Sequence, residues 1–328
     1  MKSYLKSDPL FIIQEGFNTN DQLASNRIFS IGNGHIKQNG NFEEFFSGKS
    51  VLGSYIKGTE ISEGATSTEY KINSPNWTGI IVRLNEEILD LDTWDTENFQ
   101  RTLNMHDGLL ERTFNATSPK GYTIQVYVKR FVSMAEKEIG AISYSIKSIN
   151  FEGRISFMPI IDGEIKEEQI ADYESLWNVL QTKTQQDVAH LWNQIKLKDF
   201  HVCSALSYVL YKNNEQVKLN PTKIEKEKIA GFSVGTDVRS GDTICLNKYV
   251  AIVSSLNYPR QELTEKACNL ALKVKQKGWN QLFEEHAAVW AEKWLNNTIL
   301  NVDDKEKQQE IYFREFQNLQ NSIVKKEI

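Results

Sequence analysis

The sequence predicts a mainly β protein: a large antiparallel sandwich of two sheets, followed by a helical linker. Apolar and polar residues alternate with period two in runs from about residue 25 to 258, and turn residues separate these runs. No strand–helix alternation of the kind that builds parallel sheets occurs among them. After Pro259 the apolar spacing changes to that of amphipathic helices. So many strands over more than 200 residues predict two sheets packed face to face.

The alternating runs indicate which side chains face the core. In "GIIVRL", Ile80, Val82 and Leu84 share one face of the strand. Tyr122 opens a second run, "YTIQVYVKRF", in which apolar residues again take every other position. "TICLNKYVAIV", which begins at Thr243, has the same pattern around a single lysine. These runs predict half-buried antiparallel strands, and "RLNEEIL" and "TSPKGYT" predict hairpin turns.

Residues 165–195 interrupt this pattern. Most of the stretch, "EIKEEQIADYESLWNVLQTKTQQD", is polar. It predicts either a long excursion from the sandwich or a short helix between strands.

The segment after Pro259 contains three amphipathic stretches. "RQELTEKACNLALKVKQKG" ends at Gly278, and "WNQLFEEHAAVWAEKWLNN" completes a helical pair. The third stretch follows Asp303 and Asp304, which are candidate N-cap residues. Its apolar face is large enough to need a partner layer. The stripes consist of Leu263, Ala267, Leu270 and Val274 in the first helix, Leu282, Phe283, His286, Val289, Trp290 and Trp294 in the second, and Tyr312, Phe316, Leu319 and Ile323 in the third.

Composition and charge exclude some classes of function. A net charge of −5, with basic and acidic residues interleaved, argues against a nucleic-acid surface, which needs clustered lysine and arginine. No window reaches the length of a membrane span. The N-terminal stretch lacks the features of a signal peptide, so we expect a cytoplasmic protein if Met1 is the native start and a periplasmic one otherwise.

The cysteines and histidines predict no metal site. The three cysteines, Cys203, Cys245 and Cys268, are isolated from one another and show neither metal-ligand nor redox spacing. We expect them to be buried, reduced and structural. The five histidines show no HExxH or paired spacing.

The stretch "FSIGNGHIKQNGNFEEFF", residues 29–46, is the most unusual in composition. Gly32, Gly34 and Gly40 do not match the spacing of a phosphate-binding loop, and no periodic helix follows them. A structural loop, in which the glycines allow positive φ or close backbone approach, is favoured. The alternative is a loop that reaches substrate in a neighbouring domain or subunit. The side chains near substrate would then be His35, Phe42 and Glu43.

Other candidate residues fit structural roles better. Trp77, after Pro75 and Asn76, could stack on a sugar ring, but a core or interface anchor is favoured. The adjacent pairs Glu43–Glu44, Glu86–Glu87 and Glu284–Glu285 should point apart, because neighbouring side chains in strands and helices do so. None of these pairs predicts an acid/base couple.

Five ordered stretches carry a resemblance to a known enzyme family. They are GNGHIKQNGNFEE (32–44), PNWTGIIVRLNEEILDL (75–91), RTLNMHDGLLERTF (101–114), FVSMAEKEIGAISYSIKSINFEG (131–153) and WAEKW (290–294). Their order resembles the N-terminal half of glycoside hydrolase family 65, which includes maltose, kojibiose and trehalose phosphorylases and some α-glucosidases. QQEIYFREFQNLQNS (308–322) looks like the first helix of that family's catalytic barrel. The first stretch departs from the family pattern, with His35 in place of Tyr, Lys37 in place of Gly and Asn39 in place of Arg.

The resemblance implies three parts. These are an antiparallel sandwich over residues 1–260, a helical linker over 261–300 and the first helix of an (α/α)6 barrel over 301–328. In this family a glutamate of the barrel acts as general acid, while phosphate, or water activated by a second carboxylate, attacks from the opposite face with inversion. Those carboxylates lie beyond the first barrel helix. The resemblance therefore implies no catalytic residue in this chain and no activity of the chain alone.

We therefore expect the N-terminal part of an inverting enzyme that cleaves α-glucosidic bonds of glucose disaccharides such as kojibiose. The departures in the first stretch favour hydrolysis. The alternative is a disaccharide phosphorylase that uses inorganic phosphate and releases β-glucose 1-phosphate. The expected partners are a glucose disaccharide or oligosaccharide and a second copy of the chain, with no cofactor, nucleic acid or membrane.

The alternative outside the enzymes is a stand-alone carbohydrate-binding or scaffold β domain. It predicts that the last helix docks back on the sandwich. The barrel hypothesis predicts an exposed apolar face on that helix around Tyr312, Phe316 and Leu319.

Overall fold

A mainly antiparallel β architecture with helices at its C-terminal side confirms the predicted fold class. The structure is a computed structural model that describes residues 8–18, 22–50, 52–62, 69–165, 176–218 and 220–321. The strands are β1 (Phe11–Glu15), β2 (Ile31–Gly32), β3 (Ile36–Gln38), β4 (Ser54–Ile56), β5 (Glu60–Ser62), β6 (Glu69–Lys71), β7 (Ile80–Leu84), β8 (Glu87–Ile88), β9 (Asp95–Asn104), β10 (Leu109–Thr117), β11 (Thr123–Val132), β12 (Ile139–Ser148), β13 (Gly153–Asp162), β14 (Trp177–Thr184), β15 (Ala189–Ile195), β16 (His201–Lys212), β17 (Glu215–Gln216), β18 (Thr222–Lys226), β19 (Ile229–Val238) and β20 (Thr243–Ser254). The helices are α1 (Gln22–Ile28), α2 (Leu263–Lys277), α3 (Trp279–Leu295) and α4 (Lys305–Asn321), with a 3₁₀ turn at Arg260–Glu262.

Two sheets form the sandwich. The larger has the strand order β1-β9-β10-β11-β12-β20-β16-β15-β14, with β17 paired to β16. The smaller has the order β18-β19-β13-β7-β8, and every pairing in both sheets is antiparallel. The facing side chains form one continuous apolar core, in which Trp77, Tyr144, Phe157 and Phe232 are among the largest fully buried residues. Two small sheets, β2-β3-β4 and β5-β6, complete the β structure.

The period-two pattern identifies the strands that are covered on one face. In β7, Ile80, Val82 and Leu84 are fully buried, whereas Ile81 and Arg83 are only half-buried. The predicted turns also occur, joining β7 to β8 and β10 to β11. For these strands the expected half-burial is confirmed.

Strand β20 is instead buried on both faces. Leu246 belongs to the sandwich core, whereas Tyr249 belongs to a second core beneath the helices. Lys248, the lysine of this run, is fully buried as well, and its Nζ donates to the carbonyls of Gly79 at 2.9 Å and Ile160 at 2.7 Å. Half-burial is wrong for this strand because α2 covers its outer face.

Two strands occupy most of residues 177–195, so the prediction of an excursion or a short helix is wrong for this part of the stretch. Strands β14 and β15 pair as a hairpin at the edge of the larger sheet, and residues 166–175 lie outside the described residues. The register shifts between Val179 and Gln181, and Leu180 is exposed. An irregular edge strand lacks the regular alternation on which a sequence-based prediction depends.

Helix α2 packs on the outer face of the larger sheet and forms the second core there. Its buried residues are Leu263, Ala267, Ala271 and Val274. Leu270, predicted to lie on this stripe, is only half-buried, and Ala271 takes the buried position. Gly278 ends α2 as predicted and, with φ at +80°, links it directly to α3. No helix within the described ranges is long and apolar enough to span a membrane.

Helix α4 begins as predicted but does not leave its apolar face exposed. The Asp304 carboxylate caps the first turn by accepting the N–H groups of Glu306 at 3.0 Å and Lys307 at 3.2 Å. Phe316 is fully buried and stacks on Trp290, with the ring centroids 4.9 Å apart. The predicted exposed face is therefore wrong, because the helix docks on α3.

Polar contacts also hold α4 in place. The Gln309 amide donates to the Phe11 carbonyl at 2.8 Å, and Lys293 Nζ donates to the Leu319 carbonyl at 2.8 Å. The helix thus contacts both the first strand and α3. Its opposite side, including Arg314, is exposed.

Replacing Phe316 by alanine should lower the free energy of unfolding by about 3–5 kcal/mol, because it leaves a cavity against the Trp290 ring. Urea unfolding measures this loss, and amide exchange in α4 should become faster. Leu300→Ala is the control, since Leu300 is 69% exposed and its removal should cost about 0.5 kcal/mol or less. Similar small losses in both variants would contradict the docked position of α4.

His286 should make stability sensitive to mild acid. Its Nδ1 accepts the Met134 N–H at 3.0 Å, and burial lowers its pKa from 6.5 to about 4. Since the unfolded chain binds the proton more readily, this contribution is complete above about pH 6.5 and is lost as the pH falls toward 4, by up to about 3 kcal/mol.

The measurement is urea unfolding of the wild type and His286→Gln between pH 7 and pH 4. The glutamine oxygen can still accept the Met134 N–H, so the variant should fold while losing this part of the pH dependence. Identical pH profiles for the two proteins would exclude His286 as the source.

Candidate functional site

Residues 29–46 form the hairpin of β2 and β3 and then a buried, irregular segment. Gly34 has φ at +77° in the hairpin turn. At Gly40, an added Cβ would lie 2.7 Å from the Phe29 Cβ. Gly34 therefore allows the turn and Gly40 allows close packing, in agreement with the structural role that the sequence favours.

Glu43 and Glu44 are bound by two arginines inside the sandwich. Arg112 Nη2 donates to Glu43 Oε2 and to Glu44 Oε2 at 2.6 Å each, and Arg112 Nη1 donates to Glu44 Oε1. Arg130 Nη1 lies 2.8 Å from Glu43 Oε1. None of the four side chains is more than 4% exposed. We call these four residues the Glu–Arg cluster, in which two negative and two positive charges balance.

The electrostatics of the cluster keep Glu43 ionised. Burial alone would raise the pKa of its carboxyl group, but the charges of Arg130 and Arg112 outweigh burial and hold this pKa below its usual value. Burial also opposes the charge of Arg112, and Glu44 and Glu43 more than compensate, so the pKa of this guanidinium is raised. A carboxylate held in this state has no proton to donate to a glycosidic oxygen.

The two neighbouring glutamates do not point apart as predicted, since both bind Arg112. The reason is that they belong to neither a strand nor a helix. Arg130 fixes this irregular segment by donating to the carbonyls of Asn39 at 2.7 Å and Asn41 at 3.1 Å.

Phe42 and Trp77 are both interior residues. Phe42 is 7% exposed, and the guanidinium groups of Arg112 and Arg101 lie 4.7 and 5.8 Å from its ring centroid. Trp77 is fully buried, and an added Cβ on Gly140 would lie 2.7 Å from its ring atoms. Gly140 therefore makes room for the indole ring, and Trp77 is a core anchor.

His35 lies at an open cleft between the β2-β3-β4 sheet and the C-terminal end of α4. The cleft has a volume of about 710 Å³. It is lined by Ser30, Gly32, Gly34, His35, Ile36, Lys37, Tyr55, Ile56, Lys57, Glu60, Lys71, Gln317, Asn318, Gln320 and Asn321. We call it the α4 cleft. The His35 imidazole is 6% exposed with Nε2 3.4 Å from the Ile252 carbonyl, and burial lowers its pKa, so it is neutral at pH 7.

The predicted substrate-binding residues are thus not brought to one place. His35 lines the α4 cleft, whereas Phe42, Glu43 and Trp77 contact only other parts of the protein interior. Sequence reasoning missed the other polar residues of the cleft. Lys37 was visible only as a departure from the family pattern, and Lys57, Lys71 and Gln320 carried no signal.

The described residues contain no group of three or more His, Cys, Asp and Glu side chains placed to hold a metal ion. The cysteines are free thiols, but only Cys203 is buried as predicted, while Cys245 and Cys268 are half-buried. Cys268 Sγ lies 3.4 Å from His190 Nδ1, and burial raises the pKa of this thiol to about 11. The thiol is therefore protonated at neutral pH and is a weak nucleophile.

Arg112→Met should lower the free energy of unfolding by about 3–5 kcal/mol, because it leaves two buried carboxylates with one arginine. Lys120→Met is the matched control. The Lys120–Glu87 pair is 3.6 Å apart and its lysine is 62% exposed, so its loss should cost about 1 kcal/mol or less. Urea unfolding at pH 7 compares the two variants. An equal loss in both would show that the buried cluster contributes no more to the free energy of unfolding than an exposed ion pair does.

Comparisons with known proteins agree with the resemblance. Residues 12–293 match the family described as "Glycosyl hydrolase family 65, N-terminal domain". The chain is 27% identical to maltose phosphorylase of Bacillus subtilis over 321 residues, which cover 92% of this chain and 40% of that protein. It is 26% identical to α,α-trehalose phosphorylase of Thermoanaerobacter brockii over 325 residues, covering 93% and 42% respectively.

A solved structure has the same fold. It is described as a putative kojibiose phosphorylase from human microbiome, and it superposes with a TM-score of 0.86 at 21% identity, covering 97% of this chain and 42% of that one. The chain spans about two fifths of the length of these curated relatives. Because the family match covers most of the chain, the protein belongs to glycosyl hydrolase family 65 and contains the N-terminal domain of that family.

Proposed function

We propose that this chain is the N-terminal domain of a phosphorylase that cleaves the α-glucosidic bond of a glucose disaccharide. The match over more than 90% of the chain to proteins named maltose phosphorylase and α,α-trehalose phosphorylase supports this proposal. Two further relatives are named kojibiose phosphorylase. Inorganic phosphate would be the co-substrate, and inversion at the anomeric carbon would give β-glucose 1-phosphate.

Hydrolysis, which the sequence analysis favoured, becomes the alternative. The preference for hydrolysis was based on departures from the family pattern at His35, Lys37 and Asn39. The Asn39 carbonyl binds Arg130, and an added Cβ on Gly53 would clash with the Asn39 side chain. The difference at Asn39 therefore concerns packing within the sandwich, and it carries no weight in the choice between water and phosphate.

We place the general acid of this reaction outside the described residues. Glu43 and Glu44 are buried and bound to the same arginine, so they cannot flank a glycosidic bond. An inverting hydrolase needs carboxyl groups about 6.5–9.5 Å apart with substrate between them. The role we assign to this chain is structural support, and the chain alone should not turn over substrate.

We further propose that the active protein is a cytoplasmic homodimer. The stand-alone binding or scaffold domain remains the second candidate, because the docked α4 is what it predicts. Docking buries only one side of this helix, however, and leaves Arg314, Gln317 and Asn318 exposed. That side remains available to a further layer.

The test is to assay the complete gene product on kojibiose, trehalose, nigerose and maltose, with and without phosphate. We expect consumption of one of these disaccharides only when phosphate is present, with β-glucose 1-phosphate identified from its anomeric proton signal. The 328-residue chain serves as the control and should be inactive. Release of free glucose regardless of phosphate would establish a hydrolase, and inactivity on all four sugars would favour the binding-domain candidate.

A further inference from the structure

We infer that the α4 cleft is a binding site for a phosphate-bearing anion. The inference rests on the residues of this chain alone and does not depend on the proposed phosphorolysis. It concerns binding only and includes no covalent step.

The first observation is an excess of positive charge. Among the described lining residues, Lys37, Lys57 and Lys71 accompany one carboxylate, Glu60, and His35 is neutral, so these residues carry a net charge of +2. Within the described part of the chain, no acidic side chain lies within ion-pair distance of the three ammonium groups. By contrast, the carboxylates and arginines of the Glu–Arg cluster neutralise one another.

The lysine charges also act on one another. Although the Lys37 side chain is exposed overall, its partial desolvation and then the charge of Lys71 lower its pKa below the usual value. Both effects disfavour the charged form of Lys37. An anion beside these lysines would reverse that effect, because an opposite charge stabilises the ammonium form.

The second observation is a buried donor without an acceptor. Gln320 lines the cleft and is 5% exposed, and its Nε2 has no hydrogen-bond partner among the described residues. A buried amide N–H without an acceptor is costly, so such groups are normally paired. Because Nε2 itself is closed to solvent, a phosphate oxygen in the cleft reaches this donor once the Gln320 amide turns toward the cleft.

These two observations select the chemistry of the ligand. Ammonium groups and an amide all donate hydrogen bonds, and a phosphate group presents several acceptor oxygens with up to two negative charges. This arrangement differs from a glycine-rich phosphate loop, since side chains rather than a helix N-terminus supply the donors. The volume of about 710 Å³ accommodates either inorganic phosphate or a sugar phosphate, and Tyr55 and His35 are the aromatic side chains among the described lining residues.

The test is isothermal titration of the 328-residue chain in low-chloride buffer with inorganic phosphate, glucose 1-phosphate and glucose. We expect the two phosphates to bind with a Kd of about 1 mM or tighter, more weakly as salt is added, and glucose not to bind. Tighter binding of the ester would identify a sugar phosphate as the ligand. Equal affinity would identify the phosphate group alone.

Three variants locate the binding. Lys37→Gln combined with Lys71→Gln should weaken phosphate binding about tenfold or more, because two charge-assisted contacts are lost. Glu60→Gln should strengthen it about twofold to fivefold, because it removes the carboxylate charge found among the described lining residues, while its oxygen can still accept the Gly58 N–H. Lys147→Gln, an exposed lysine outside the cleft, is the matched control and should bind like the wild type.

All the replaced side chains except Glu60 are exposed, so the variants should unfold at the same temperature as the wild type. The gain expected from Glu60→Gln cannot arise from misfolding. Absence of phosphate binding to the wild type, or equal binding by the double variant and the Lys147 control, would overturn the inference. A failure of phosphorolysis by the complete protein would leave this binding result unaffected.

Discussion

Four basic side chains on the inner face of the larger sheet are removed from water, and the arrangement of the chain around them follows from that constraint. They are Arg101 in β9, Arg112 in β10, Arg130 in β11 and Lys248 in β20. Removing a charged group from water costs several kcal/mol unless partners replace its hydration. Burial therefore lowers the pKa of Lys248 well below its usual value. The partners come largely from segments that cover the sheet. Lys248 binds two carbonyls next to or within the smaller sheet, and Arg101 donates to the Asn26 side chain in α1 and to the Gly40 carbonyl.

The Glu–Arg cluster explains why an irregular segment can lie in the interior. Backbone groups outside strands and helices need other partners when they are buried. Arg130 supplies two of them by binding the carbonyls of Asn39 and Asn41, and the same guanidinium lies against Glu43. The segment is thus held by the sheet that it covers. Arg130 binds the segment at Asn39 and Arg112 binds it at Glu44, and the hairpin that precedes it lines the α4 cleft.

Local patterns in the sequence account for much of the fold. The strands β7 and β11 and the helices α2, α3 and α4 follow from apolar periodicity, because their burial alternates with the same period as the backbone. Lys248 shows where such patterns stop being informative. A lysine within an apolar run looks like a solvent-facing residue, and only the position of distant carbonyls shows that it is buried.

The candidate site was less predictable for a related reason. Glu43 and Arg130 are brought together across 87 positions of sequence, and the α4 cleft joins residues near position 35 to residues near position 320. Neither contact can be predicted from the residues that are adjacent in sequence. Composition drew attention to the glycine-rich stretch, but it could not separate His35, which lines a cleft, from Phe42 and Glu43, which lie in the interior.

The position of Gln320 couples ligand binding in the α4 cleft to the docking of α4. This side chain belongs to the last turn of the helix, whereas the cleft lysines lie in or directly after strands of the two small sheets. A ligand that contacts both can bind fully only while the helix is docked, so occupancy and docking form a linked equilibrium. The coupling is reciprocal. A change that moves α4 away from Gly34 must weaken ligand binding by the same free energy by which the bound ligand stabilises the docked helix.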